Sequence, residues 1–171
     1  SSPSDPKPIS ATDWLLLFLL GLLWGGSFFF GRIAVAEIAP LNLVLFRVAI
    51  AALALHLWLR LRGISFAPVL SMPAAFLGLS LLNNVIPFSL MFAGQTELGA
   101  GLASVLNATT PFWTMLLASR IAGERLSANR VAGILIGISG TAVMVGPGLF
   151  AGMGGPVWAK LALLGTAFSY A

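Results

Sequence analysis

The sequence predicts an all-α, polytopic transmembrane protein: five membrane-spanning helices followed by the start of a sixth. Two observations of composition and one of pattern predict it. Apolar residues make up 58% of the chain and charged residues only 8%, and the mean hydropathy is +1.00. A soluble domain carries about a quarter charged residues, so this chain cannot cover itself with a hydrated surface. The apolar residues fall in runs of about 18–23, the length of a bilayer-crossing helix, not in the alternating segments of about ten that build a barrel.

The elements follow in order. Residues 1–13 open with Ser1-Ser-Pro-Ser-Asp-Pro-Lys-Pro8, polar and proline-rich, and read as a disordered cytoplasmic tail. Span 1 runs from Trp14 to Ala36; it is too long for a signal-peptide core and ends without a small-residue cleavage pattern. Glu37-Ile-Ala-Pro40 is a tight turn. Span 2 covers Leu41–Leu59, and Arg60 and Arg62 open a loop that lasts to Pro73. Span 3 covers Pro73–Ala93, Gln95-Thr-Glu97 turns the chain, and span 4 covers Gly99–Ser119. Span 5 covers Ala128–Val145. Residues 148–156 form a glycine-rich external linker, and 157–171 begin a sixth span.

That last segment resembles the first. Trp158-Ala-Lys-Leu-Ala-Leu-Leu-Gly165 aligns with Trp14-Leu-Leu-Leu-Phe-Leu-Leu-Gly21, sharing the tryptophan, the glycine and three leucines, and Phe168 falls under Trp24. The implied repeat of about 144 residues holds an odd number of spans, so a second copy sits upside down in the membrane, as in secondary transporters. Residues 14–147 are then a first five-helix repeat. The expected partner is a second repeat mostly missing from this chain, or a second copy.

Basic residues orient the chain. Lys7, Arg60, Arg62, Arg120, Arg125 and Arg130 lie on one side, which the positive-inside rule places in the cytoplasm with the amino terminus. Trp14 and Trp58 then mark the cytoplasmic interface and Trp158 the external one. The formal charge of +4 is therefore a matter of topology and does not point to nucleic acid. With no cysteine and the single His56, thiolate chemistry and metal clusters are excluded, and no cofactor is implied.

The polar residues inside the spans carry the functional argument. Span 1 holds Trp24-Gly-Gly-Ser27; span 3 holds Asn83-Asn84 with Pro87; span 4 holds Asn107-Ala-Thr-Thr-Pro111. Each proline frees a carbonyl about four residues upstream, that of Asn83 or Asn107. Helical spacing puts Ser80, Asn84, Pro87 and Met91 on one face, and Asn107, Pro111 and Thr114 on another. The three clusters lie at matching depth. They predict a midplane cavity for a small-molecule substrate, lined by Trp24, Ser27, Ser80, Asn83, Asn84, Pro87, Asn107, Thr110, Pro111, Trp113 and Thr114. Trp24 and Trp113 lie deep in their spans and can stack on aromatic or cationic ligands; Phe28, Phe88 and Phe112 can extend that lining, though facing lipid is the default for phenylalanine. The competing reading is that asparagines and threonines bond between helices and the prolines are kinks. Arg47 lies about 10 Å inside the membrane by helix rise. It either serves function, pairs with Glu37 or Glu97, bonds helix-end carbonyls, or snorkels. Glu124 caps a cytoplasmic helix or pairs with its arginine neighbours, and His56 is interfacial. Gly21 and Gly25, the stripe Gly133, Gly137 and Gly140, and the series Ala100, Ser104 and Ala108 predict close helix contacts.

Together, Leu23-Trp-Gly-Gly-Ser-Phe28, Pro40 with Leu45-Phe-Arg47, Pro111 leading to Ala122-Gly-Glu-Arg-Leu126, and the glycines of span 5 resemble the EamA family of the drug/metabolite transporter superfamily. The resemblance covers nearly everything from Asp13 onward. It implies a ten-helix carrier of two five-helix inverted repeats that exports amino acids, metabolites or drugs from the cytoplasm, with a cavity between the repeats. One branch exports aromatic amino acids, which suits Trp24 and Trp113.

The expectation is an exporter in the bacterial inner membrane, in contact with lipid, working by alternating access with Pro87, Pro111 and Gly25-Gly26 as candidate hinges. No Asp or Glu lies deep in the five spans, so export down a gradient is expected unless a second half supplies an acid. The same lack weighs against a small multidrug-type pump of two half chains and against an intramembrane enzyme. A non-transporting scaffold subunit is distinguished by having no solvent-filled cavity at Asn84 and Asn107.

Overall fold

The computed structural model describes residues 9–121, 127–145 and 155–171. Most of the amino-terminal tail, the loop holding Glu124 and Arg125, the family-like segment 122–126 and most of the external linker lie outside the described residues.

Among the described residues every regular element is helical. Helix α1 spans Ala11–Ala34 and starts earlier than composition suggests, because Ser10 and Asp13 form a capping box. The Ser10 hydroxyl accepts from the Asp13 amide at 3.2 Å, and the Asp13 carboxylate accepts from the Ser10 amide at 2.8 Å. The tail expected to reach residue 13 is therefore helical from Ala11. Helix α1 passes unbroken through Gly25-Gly26.

Helix α2 spans Pro40–Leu61, with Pro40 in its first turn, where a missing N–H is harmless. Gly63 follows in the left-handed region at φ 66°, a conformation that favours glycine at a helix end. The expected plain loop contains a short helix, α3, Ala67–Ser71. Helix α4, Pro73–Ser80, runs through a π-helical turn at Leu81–Val85 into α5, Ile86–Glu97. The turn expected at residues 95–97 is thus the end of α5. Gln95 is fully buried there, its Nε2 donating to the Phe28 carbonyl at 2.9 Å.

The predicted fourth span comes as two helices, α6 (Ala100–Asn107) and α7 (Thr110–Ile121). Helix α8 spans Ala128–Val145, and α9 spans Val157–Ser169. By length and composition, three helical stretches suit a membrane crossing without interruption: Ala11–Ala34, Pro40–Leu61 and Pro73–Glu97. The fold is that of a polytopic helical membrane protein.

Helix α5 is the hub of the core. Phe88, Met91 and Phe92 pack there with Phe28 of α1, Val44 of α2, Ala103 of α6, and Ala159 and Leu163 of α9. Helix α9 lies antiparallel on α5. Leu98 meets Gly155, Gly94 meets Leu163, and the Pro87 carbonyl meets Thr166, in opposite chain order. The carboxyl-terminal ends of α1 and α5 meet at Phe28, Gly31 and Gln95, so α9 also runs opposite to α1. Trp14 and Trp158 consequently sit at opposite ends of the bundle.

Close approach uses different glycines from those expected. A Cβ on Gly94 would stand 2.8 Å from Leu163 and 3.0 Å from the Ala159 carbonyl; one on Gly31 would stand 2.9 Å from Phe92. At Gly21, Gly25, Gly133, Gly137 and Gly140 a methyl would meet nothing within 4 Å. Four-residue spacing of small residues marks a smooth helix face, but tertiary packing chooses which face is used. In α6 likewise, the buried residues are Leu102, Ala103 and Val105, one step off the expected Ala100–Ser104–Ala108 series.

Candidate functional site: a cavity beside two backbone irregularities

Two backbone irregularities flank one cavity. In the π-helical turn the Ile86 amide bonds the Leu81 carbonyl, five residues back. In that register the carbonyl facing the absent N–H of Pro87 is that of Leu82, not Asn83. It receives the hydroxyl of Ser169 from α9. In the second irregularity α6 ends at Asn107, and its carbonyl accepts from the Thr110 hydroxyl at 2.7 Å. Both freed carbonyls are thereby satisfied without water, as the bilayer interior demands.

Between them lies a cavity of about 550 Å³, within the range of small-molecule sites. Its lining takes Trp24 from α1, Asn83 and Asn84 from the wide turn, Phe88 from α5, Asn107 from α6, Thr110 and Pro111 from α7, and Tyr170 just beyond α9. Trp24 and Tyr170 meet edge-on with ring centroids 6.0 Å apart, and Tyr170 meets Phe88 at 6.3 Å. The Asn107 Oδ1 and Tyr170 Oη atoms are buried without hydrogen-bond partners.

Six of the residues singled out from sequence therefore come together: Trp24, Asn83, Asn84, Asn107, Thr110 and Pro111. Five do not line this cavity. The wide turn contains one extra residue, which rotates the following helix by about 100°. Ser80 and Asn84 accordingly part from Pro87 and Met91. The first pair lines a neighbouring cavity, whereas Pro87 and Met91 are fully buried in the core. Ser27 turns toward α2. Trp113 packs edge-on against Phe168 at 5.6 Å, and its indole N–H donates to the Thr109 hydroxyl at 3.2 Å. Thr114 faces a groove between α7 and α8, because the break at Ala108-Thr109 sets α7 on a new register. Of the three phenylalanines, only Phe88 reaches the cavity; Phe28 is core and Phe112 packs on Trp113.

Arg47 takes none of the expected acidic partners. Its Nη1 donates to the Ser27 hydroxyl at 2.7 Å, and its guanidinium carbon stands 4.2 Å from the centroid of the Phe88 ring. It lines the neighbouring cavity of about 440 Å³ with Ser80 and Asn84. Asn84 and Phe88 border both cavities and form the wall between them. His56 is exposed and accepts from Arg60 Nε at 3.1 Å, in keeping with an interfacial place.

Sequence reasoning passed over Tyr170, Ser169 and Thr166. Tyr170 is the only tyrosine in the chain, and a phenol at that depth needs a partner as much as an asparagine does. That was the available signal. Among the described residues no cluster of His, Cys, Asp or Glu could hold a metal.

Residues 13–146 match the EamA-like transporter family. Among curated proteins, the uncharacterized inner membrane transporter YedA of Escherichia coli is 32% identical over 154 residues, 88% of this chain and 48% of the relative. Protein PagO of Salmonella typhimurium is 31% identical over 127 residues, 73% of this chain and 41% of the relative. A protein of Streptantibioticus cattleyicolor named "Probable terminal-alkyne amino-acid exporter" is 27% identical over 158 residues, 90% of this chain and 51% of the relative. The chain spans about half the length of the curated relatives it matches. No solved structure matches it.

Proposed function

We propose that this chain, which belongs to the EamA-like transporter family, is the first inverted repeat, with the start of the second, of an inner-membrane exporter of small metabolites. The single observation that carries the reading is convergence. Trp24, two asparagines of the wide turn, Asn107 and Thr110 come from separate helices to one cavity, and both backbone irregularities border it. A purely structural role for these groups calls for helix-to-helix hydrogen bonds among them. Asn83 and Asn84 make none among the described residues.

In the proposed mechanism the cavity opens alternately to the cytoplasm and the outside as two repeats rock against each other. Asn84, Asn107 and Thr110 offer hydrogen bonds to substrate, and Trp24 with Tyr170 offers an aromatic wall. Pro87 and Pro111 mark the places where backbone geometry can change at least expense of helix hydrogen bonds. The amino terminus is cytoplasmic. The substrates are small metabolites with amino acids among them, the class in the name of the Streptantibioticus relative. Among the described residues no carboxylate lines the cavity, so export runs down the substrate gradient unless the second repeat contributes an acid.

The test is counterflow of amino acids into proteoliposomes holding the full-length protein, with Asn84→Ala, Asn107→Ala and Trp24→Ala. Each variant is expected to lower the initial rate at least tenfold, the loss typical of removing a substrate hydrogen bond or stacking partner in a buried site. Full activity in all three variants removes the cavity from the transport path.

A further inference from the structure

We propose that Arg47 is a binding site for a carboxylate group of the exported substrate. The proposal rests on the carrier reading above and deepens it by naming a substrate class: small organic carboxylates, amino acids included.

Arg47 lies inside the membrane helix α2, about two turns from its start at Pro40. A guanidinium held at that depth is expensive and is retained where it meets a counter-charge or serves a function. Here the counter-charge is missing: among the described residues no carboxylate pairs with Arg47. The side chain is nevertheless held in place. One Nη1 hydrogen bond to Ser27 joins it to α1, and its planar face lies on Phe88 of α5. An arginine has five N–H donors in a fixed fork, and this contact uses one of them. Arg47 borders a cavity of about 440 Å³ that Ser80 and Asn84 also line. The Ser80 hydroxyl gives its proton to the Phe76 carbonyl at 2.8 Å, while the Asn84 amide makes no hydrogen bond among the described residues.

A prepositioned guanidinium with unused donors, beside an unpaired amide, matches the planar, two-oxygen geometry of a carboxylate. Asn84 and Phe88 border both this cavity and the Trp24–Tyr170 cavity. A carboxylate on Arg47 therefore lies next to the aromatic cavity, with Asn84 and Phe88 between the two. Ser27 is a positioning residue, since it acts on substrate only through Arg47.

The experiment uses matched probes with the full-length protein in proteoliposomes. Counterflow of labelled L-phenylalanine and 3-phenylpropanoate is compared with that of the matched amides, phenylalanine amide and 3-phenylpropanamide, which lack the carboxylate; the second pair changes only an anion for a neutral group. The wild-type protein is expected to prefer the acids by tenfold or more, the scale of losing one partner of a buried charge-assisted contact. Arg47→Gln is expected to abolish that preference, Arg47→Lys to keep part of it, and Ser27→Ala to weaken it less than either. Size-exclusion profiles and melting temperatures check that each variant folds, and Arg47→Lys keeps the test informative where Arg47→Gln does not fold. Transport of acids and amides at equal rates, or an unchanged preference in Arg47→Gln, overturns the carboxylate site while leaving the carrier intact. No counterflow of any of the four probes overturns both.

Discussion

The two asparagine–proline segments share one pattern, an asparagine four residues before a proline, yet the chain resolves them in opposite ways. At Asn83–Pro87 the helix stays continuous by widening one turn, Pro87 is fully buried, and the freed Leu82 carbonyl is taken by Ser169 from another helix. At Asn107–Pro111 the helix breaks, Pro111 is exposed, and the freed carbonyl is taken by Thr110 of the same segment. A proline dictates only that a carbonyl loses its donor. Which group replaces the donor, and whether the helix bends or stops, depends on what packs nearby. Where α9 supplies a hydroxyl, that of Ser169, the partner comes from outside and continuity survives. Where no such helix supplies a hydroxyl, the segment caps itself and breaks.

The strongest way to break this contrast is to push α9 away. Gly94→Leu places a side chain where even a Cβ would stand 2.8 Å from Leu163, and backbone oxygen of Ala159 closes the other side. We expect a loss of about 3 kcal/mol, at the upper end for overpacked cores, read as a lowered melting temperature of the full-length protein in detergent. Gly25→Leu, made where a Cβ meets nothing within 4 Å in this repeat, is the control. Equal losses from both variants contradict the α5–α9 contact.

Replacing each proline gives the next largest difference. Pro87→Ala removes a fully buried ring and is expected to destabilise by roughly 1.5 kcal/mol, the value of two buried methylenes. Pro111→Ala removes an exposed ring and restores a helix-forming residue, so the melting temperature is expected to rise while transport slows. The opposite ordering of the two melting temperatures disposes of the distinction.

The smallest effect separates the two capping hydroxyls. Ser169→Ala removes one hydrogen bond between helices, worth about 0.6 kcal/mol, and Thr110→Val removes one within its own segment. The expected difference lies in coupling. In a double-mutant cycle Ser169→Ala is non-additive with Pro87→Ala, because both touch the Leu82 carbonyl, whereas Thr110→Val is additive with it. Additivity in both cycles argues that Ser169 does not serve the wide turn.

Much of the site was legible from residue type and depth. Asparagines and threonines in apolar spans must find partners or water, and that requirement holds wherever the helices lie; it singled out Asn83, Asn84, Asn107 and Thr110, which line one cavity. Facing was less legible. Ser80 and Pro87 part because a wide turn intervenes, and nothing in Leu81-Leu-Asn-Asn-Val85 separates a wide turn from a regular one. Arg47 shows a third case: its depth was evident, but the choice of Ser27 over Glu37 or Glu97 was not, since a long side chain reaches many partners.

Composition and run length alone determined that this is a polytopic helical membrane protein, because the free energy of placing each stretch in a bilayer is a local sum over its own residues. The order of motifs along the chain likewise sufficed for the family. Tertiary structure decided that α9 docks on α5 through Gly94, that Tyr170 closes the cavity wall, and that Arg47 rests on Phe88. These depend on which faces of separate helices fit together, and in a bilayer that choice is made by close packing and individual hydrogen bonds rather than by hydrophobicity, which treats every apolar face alike.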